Sequence, residues 1–212
     1  MEKKIVPAII AKDQEELDAM IRKVEDSCDV LHLDIMDGKF VPNESINFDF
    51  HVQKNGCCIE AHMMVENPGE WIRKHYDKVD RFQVHLEACD DPGYIIRLAR
   101  EKKKGICFAI NPETLVEKLM PYIKDIDQAL ILTVKPGFYG SSFLPEELKK
   151  VEGLRRLSPY LDIEVDGGIT DKTIGLVENS GANMFVSGSF IMKAKDQKTA
   201  INALKKGLRN LN

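Results

Sequence analysis

The sequence predicts an α/β fold: a single-domain (β/α)8 barrel of parallel strands, a TIM barrel, spanning residues 1–212. Three observations point to it. Eight short apolar runs alternate with amphipathic segments from one end of the chain to the other. After the first apolar run, where an open doubly wound sheet carries a glycine-rich turn, the chain reads Ile10-Ala11-Lys12-Asp13. No linker or break in composition divides the 212 residues, a length that supports one large core.

In chain order, strands are expected at 5–10, 30–35, 57–64, 81–86, 105–110, 128–134, 162–165 and 184–187. Each is rich in Val, Ile, Phe or Leu and is bounded by turn residues, as a strand buried on both faces should be. Helices are expected between them at 14–27, 48–54, 70–75, 93–102, 115–118, 145–157, 171–179 and 197–211. Asp13 and Asp171 stand where N-caps belong, and Gly181 stands where a C-terminal glycine would end a helix. Asn111-Pro112-Glu113-Thr114 reads as a turn that delivers the chain to its next helix.

Composition narrows the function. Hydrophobic residues make up 43% and charged residues 30%, with a net charge of −4, which is ordinary globular usage. That balance gives no general attraction to nucleic acid or to an anionic membrane surface. The Lys-rich stretches at 102–104 and 205–206 read as solvated helix faces. No apolar stretch approaches the length of a membrane span, and Met1-Glu2-Lys3-Lys4 with its short apolar sequel does not read as a signal peptide. The five cysteines, at 28, 57, 58, 89 and 107, are odd in number and form no C-x-x-C. A reducing, cytoplasmic setting is therefore expected, with Cys57 and Cys58 as small packing residues on opposite faces of a strand.

The chemistry is sought at the C-terminal ends of the strands, where barrel active sites gather. In Leu31-His32-Leu33-Asp34-Ile35-Met36-Asp37-Gly38, the two-residue spacing puts His32 and Asp34 on one face, with Met36 continuing it. Taken alone, this strand has two readings: hydrogen-bonded core residues, which the weakness of short motifs favours, or ligands to a metal. Two further strand ends shift the balance. Glu60-Ala61-His62-Met63-Met64 adds His62, and Glu164-Val165-Asp166-Gly167-Gly168 adds Asp166. His32, Asp34, His62 and Asp166 form a two-histidine, two-carboxylate set suited to one divalent transition metal, Zn²⁺, Fe²⁺, Co²⁺ or Mn²⁺, with positions left for substrate oxygens. Met36 and Met64 would form a polarizable, water-excluding floor beside it.

Glycines supply a second constellation. Gly137-Phe138-Tyr139-Gly140 follows the sixth strand, Gly167-Gly168 the seventh and Gly188-Ser189 the eighth. Any one pair is readily an ordinary turn. Pairs after both final strands favour phosphate, because backbone N–H groups at glycine approach an anion unobstructed. His85-Leu86-Glu87 reads as supporting or packing groups, His51 and His75 as surface helical residues, and Met63 as core.

Several stretches together carry a resemblance. They are residues 31–43 (LHLDIMDGKFVPN), His62-Met63-Met64-Val65, His85-Leu86-Glu87, Asn111-Pro112, residues 133–138 (TVKPGF), residues 164–169 (EVDGGI), and Gly181-Ala182-Asn183 with Ser187-Gly188-Ser189. In this order they resemble ribulose-phosphate 3-epimerases over nearly the whole chain. The resemblance implies a metal-dependent (β/α)8 barrel that interconverts D-ribulose 5-phosphate and D-xylulose 5-phosphate. It implies that His32, Asp34, His62 and Asp166 bind the metal and that Asp34 and Asp166 are also the catalytic acid and base. Met36 and Met64 would wall the site, the glycines at 167 and 188 would hold the phosphate, and the loop carrying Phe138 and Tyr139 would close over it. The expected partner is a small-molecule sugar phosphate, without nucleic acid or membrane, bound by a homo-oligomer.

The chain departs from the family pattern on the substrate side. Ala8 replaces a usual serine, Leu132 a usual methionine and Lys135 a usual asparagine or acidic residue, while Tyr139 and Ser141 replace Gly and Gln. A 3-epimerase for another ketose phosphate, such as D-allulose 6-phosphate, and a non-catalytic phosphosugar-binding barrel are the alternatives. A decarboxylase would require a lysine–aspartate cluster in place of the two histidines.

Overall fold

The computed structural model describes residues 1–53, 56–137 and 140–208. Eight parallel strands close on themselves: β1 (Lys4–Ile9), β2 (Val30–Asp37), β3 (Cys58–Met64), β4 (Arg81–His85), β5 (Gly105–Ile110), β6 (Gln128–Leu132), β7 (Asp162–Asp166) and β8 (Met184–Ser187). Each pairs with the next, and β1 closes the barrel by pairing β2 through Ala8–His32 and β8 through Lys4–Met184 to Pro7–Ser187. These are the eight expected strands, with ends moved by no more than two residues.

Outward-facing strand residues such as Leu33, Ile59, Phe82, Phe108, Ile131 and Phe185 are buried in one apolar layer against the helices. The inward face is different. It holds small apolar groups on β1, β5, β6 and β8, including Val6, Ala8, Cys107, Ala109 and Leu130. On β2, β3, β4 and β7, and at Gln128 of β6, it is polar. The apolar runs thus conceal a two-residue alternation whose inner half carries the chemistry.

The outer layer contains α1 (Gln14–Arg22), α2 (Pro68–His75), α3 (Pro92–Glu101), α4 (Leu148–Leu157), α5 (Ile174–Asn179), α6 (Ser189–Met192) and α7 (Gln197–Gly207). The Glu16 N–H donates to Asp13 Oδ1 at 2.9 Å, so Asp13 caps α1 as expected. Asp171 does not cap α5. Thr173 precedes that helix, and its hydroxyl instead accepts from the Thr170 N–H at 2.9 Å and donates to the Gly168 carbonyl at 2.7 Å. Gly181 closes the turn after α5 at φ +107.

The helix expected at 48–54 is absent over residues 48–53, and Lys54 lies outside the described residues. The backbone there is bonded elsewhere: the His51 N–H donates to Gln14 Oε1 and the His51 carbonyl accepts from Gln14 Nε2, both at 2.9 Å. Phe50 is buried against Trp71 and His75, so His75 is a packed residue of α2 rather than a surface one. The expected helix at 115–118 is a 3-10 segment, Val116–Tyr122, that includes Pro121. Among the described residues no helix is long and apolar enough to cross a membrane.

Candidate active site

Strand register brings the polar residues together. Asp34 on β2 is level with His62 on β3, and Met36 with Met64. Asp166 ends β7. One ligand atom from each of His32, Asp34, His62 and Asp166 lies within 4.8 Å of all the others. His32 Nε2 is 3.1 Å from His62 Nδ1 and 3.3 Å from Asp34 Oδ1. His62 Nδ1 is 3.2 Å from Asp34 Oδ1 and 3.7 Å from Asp166 Oδ2. Four ligands at roughly 2.0–2.1 Å around a tetrahedral centre stand about 3.3 Å from one another, so the donor set fits a divalent transition ion with little movement.

The electrostatics of the two aspartates diverge. Burial penalises charge on Asp34, but the neighbouring imidazoles of His32 and His62 outweigh it and hold the carboxyl well below the usual carboxylate range. Burial pushes the Asp166 carboxyl up; His32 pulls the other way, and the neighbouring Asp34 adds to the rise. Two carboxyl groups within reach of one ligand, with opposed proton affinities, are equipped for one to accept a proton while the other gives one.

Above this cluster opens a cavity of about 380 Å³. Asp34, Met36, His62, Met64 and Asp166 line its floor and walls, and Gly137, Gly140, Gly167, Gly168, Gly188 and Ser189 line its mouth. His32 lies beneath it, fully buried. Gly167 and Gly168 have φ values of +114 and +67, and a methyl group on Gly167 would come within 2.4 Å of Val134 Cγ2. Only glycine fits that turn. Thr133 Oγ1 donates to the Gly167 carbonyl at 2.7 Å and Thr173 anchors Gly168, so the loop is held on both sides. Phe138 and Tyr139 lie outside the described residues. Of the departures from the family pattern, Ala8, Leu132, Lys135 and Ser141 all line the cavity.

The structure adds residues that the motifs did not single out. His32 Nδ1 lies 3.3 Å from Glu60 Oε1 and 3.2 Å from Glu164 Oε1. Glu60 accepts from Arg81 Nη1 at 3.2 Å, and Glu164 Oε2 accepts from the side-chain amides of Gln83, at 3.0 Å, and Gln128. Burial and then the charge of Glu60 push the Glu164 carboxyl up, whereas in Glu60 the pull of His32 overcomes burial and the carboxyl is lowered. The signal for these groups was present: Glu60, Gln83 and Glu164 each stand two residues before His62, His85 and Asp166 on the same strand face.

A model of the "Ribulose-phosphate 3 epimerase family" matches residues 4–192. A ribulose-phosphate 3-epimerase from Schizosaccharomyces pombe is 36% identical over 215 residues, covering 98% of this chain and 92% of that protein. One from Bacillus subtilis is 33% identical over 212 residues, covering 95% and 98%. Among solved structures, 3-keto-L-gulonate-6-phosphate decarboxylase from Vibrio cholerae superposes with a TM-score of 0.73 at 16% identity, covering 98% of this chain and 97% of that one. That likeness speaks for the barrel alone. The near full-length identity to two epimerases, with a family match running from β1 through α6, places the chain in the ribulose-phosphate 3-epimerase family, as an isomerase.

Proposed function

We propose that this chain, as one barrel domain, catalyses the metal-dependent interconversion of D-ribulose 5-phosphate and D-xylulose 5-phosphate. The observation that carries the reading is the convergence of two carboxylates, Asp34 and Asp166, with two imidazoles at the floor of one cavity. The names of the relatives supply the substrate class.

His32, Asp34, His62 and Asp166 would hold the metal. A divalent cation there would stabilise negative charge developing on the substrate oxygens at C2 and C3. The remaining work belongs to the chain. The hydrogen on C3 is acidified by the neighbouring C2 ketone and must leave from one face and return on the other. Asp34, held ionised, is present in the form that accepts the proton, and Asp166, whose carboxyl is raised, more readily holds the proton to be returned; in the reverse direction they exchange roles. Met36 and Met64 exclude water from the carbon acid with apolar, polarizable surface. The Gly167-Gly168 and Gly188-Ser189 backbones receive the phosphate at the mouth, which places C3 over the carboxylates.

The test uses metal-loaded protein with D-ribulose 5-phosphate in deuterium oxide. Wild type should epimerise the substrate and wash deuterium into C3. Asp34→Asn and Asp166→Asn should each lose on the order of 10²–10⁴-fold in turnover from the acid–base role alone. His62→Ala should lose its metal in elemental analysis. Normal turnover by Asp166→Asn would end the two-carboxylate mechanism. A hexulose phosphate with the higher kcat/KM would overturn the substrate and leave the chemistry standing.

A further inference from the structure

His85, Glu87 and Asn111 lie in stretches that the proposed chemistry leaves without a task. His85 ends β4 and is fully buried, with Phe40 against its ring. His85 Nε2 is 2.9 Å from His62 Nε2. The two rings lie within 21° of one plane with centroids 5.0 Å apart, a separation that such a nitrogen–nitrogen contact reaches when the rings meet edge to edge. His85 Nδ1 is 3.4 Å from Glu87 Oε2. Glu87 Oε1 accepts from the Asn111 N–H at 2.8 Å and from the Thr114 hydroxyl.

The direction of this chain of bonds is determined at its outer end. A backbone N–H can only donate, so Glu87 Oε1 must accept. An ionised carboxylate only accepts, so Oε2 accepts the hydrogen bond that His85 Nδ1–H donates. A neutral imidazole carries one N–H, which leaves a lone pair on His85 Nε2. His62 Nε2 must then donate, and the lone pair of His62 is left on Nδ1, the atom that faces His32, Asp34 and Asp166. We infer that Asn111, Glu87 and His85 form a positioning relay that holds His62 in the one tautomer able to ligate a cation. The inference rests on the metal reading above and adds to it the device that prepares one ligand.

Glu87→Gln tests it with nearly unchanged shape. The Asn111 N–H keeps the carbonyl oxygen of the new amide on its own side, so the NH₂ group faces His85 Nδ1. Donor then meets donor, and the polarity favoured along the relay reverses. Zinc affinity of the full-length chain, measured by chelator competition, should fall about 10–100-fold. His85→Leu, which leaves the His62 N–H without an acceptor, should also weaken zinc binding. Nitrogen NMR of histidine-labelled wild type, recorded before zinc is added, should show the His85 proton on Nδ1, because zinc on His62 would itself impose that tautomer. A role in packing alone would set no preference between the two ring nitrogens. Glu87→Gln binding zinc within twofold of wild type, or a wild-type His85 protonated on Nε2, would overturn the relay while leaving the metal site intact. Absence of zinc binding by wild type, or unchanged affinity in His62→Ala, would instead remove the metal reading and the relay with it. Should Glu87→Gln fail to fold, the wild-type spectrum alone decides.

Discussion

Gly168 shows how closely single positions are constrained. A Cβ there would stand 2.7 Å from Phe143 Cβ and 3.1 Å from Phe143 Cα, at a φ of +67 that side chains rarely adopt. Phe143 is backbone as well as side chain at that contact, so a rotamer change cannot relieve it. Gly168→Ala should therefore cost about 1–3 kcal/mol in urea unfolding, and the displaced loop should raise KM for the sugar phosphate more than it lowers kcat. The same scale shows what was legible in the sequence. His32, Asp34, His62 and Asp166 stood out because each is a polar interruption of an apolar run, and strand geometry then brings them together. Glu60, Gln83, Gln128 and Glu164 are equally polar and equally inward, yet their meaning lies in contacts across the barrel. Gln83 reaches Glu164 over 81 residues of chain, and periodicity within one strand carries no information about its partner on the far side.

Elements were recovered where local pattern and tertiary demand agree. All eight strands were, and so were helices with an aspartate cap and an apolar stripe, such as α1 and α3. Residues 48–53 were not: Phe48, Phe50 and Val52 alternate with a period of two, which no helix face follows, and Gln14 takes up the backbone groups of His51. A side chain of α1 holds that conformation, and nothing within the segment announces that partner. The junction of α3, β5 and β6 depends on another such tie. Asp127 Oδ2 accepts from Arg100 Nη1 at 2.7 Å and from the Ile106 N–H at 2.8 Å, while Oδ1 accepts from Arg100 Nη2 at 2.9 Å. Burial opposes its charge, but Arg100 and then the Ile106 amide outweigh burial and hold the carboxyl below its ordinary 3.8. A lowered carboxyl contributes stability that is present above the unfolded value and is lost as pH falls through the folded one. Because the pair is partly exposed, Asp127→Asn should cost on the order of 1 kcal/mol at pH 7. The gap between wild type and variant in urea unfolding should persist at pH 5 and close as pH falls below 3.8. A gap that stayed constant to pH 3 would mean that shape, and not charge, makes this tie.

Across the whole molecule, the barrel axis is the place where stability and chemistry compete. A barrel of this size is filled by side chains, and apolar ones would pack it at no electrostatic cost. Here Glu60, Gln83, Arg81, Gln128 and Glu164 occupy the layer under the proposed metal ligands, with four of the five fully buried and Arg81 reaching outward at 21% side-chain exposure. Such a layer is tolerable only if its charges balance, because a buried charge without a partner is expensive. The two carboxyl groups are not equivalent. Glu60, beside His32 and paired with Arg81, has its carboxyl lowered, while Glu164, facing that charge in a buried setting, has its proton affinity raised. Removing the cation and removing the second carboxylate should thus have different outcomes. Arg81→Met leaves the buried Glu60 with His32 as its remaining cationic partner, and the Gln128 carbonyl loses its donor as well. Destabilisation of about 3 kcal/mol is expected in urea unfolding at pH 7. Glu164→Gln keeps the volume, retains a group able to donate to Glu60, and removes the repulsion between two carboxyl groups. Its single oxygen can still accept from Gln83 and Gln128, but its NH₂ replaces the oxygen that faces His32 Nδ1. The loss should therefore be about 1 kcal/mol, well below that of Arg81→Met. In the double variant, the freed Glu60 meets an amide in place of a second carboxyl group, so the combined loss should be smaller than the sum of the two. Strict additivity, or a Glu164→Gln loss as large as that of Arg81→Met, would mean that both glutamates are charged in the folded barrel and that Arg81 serves them equally.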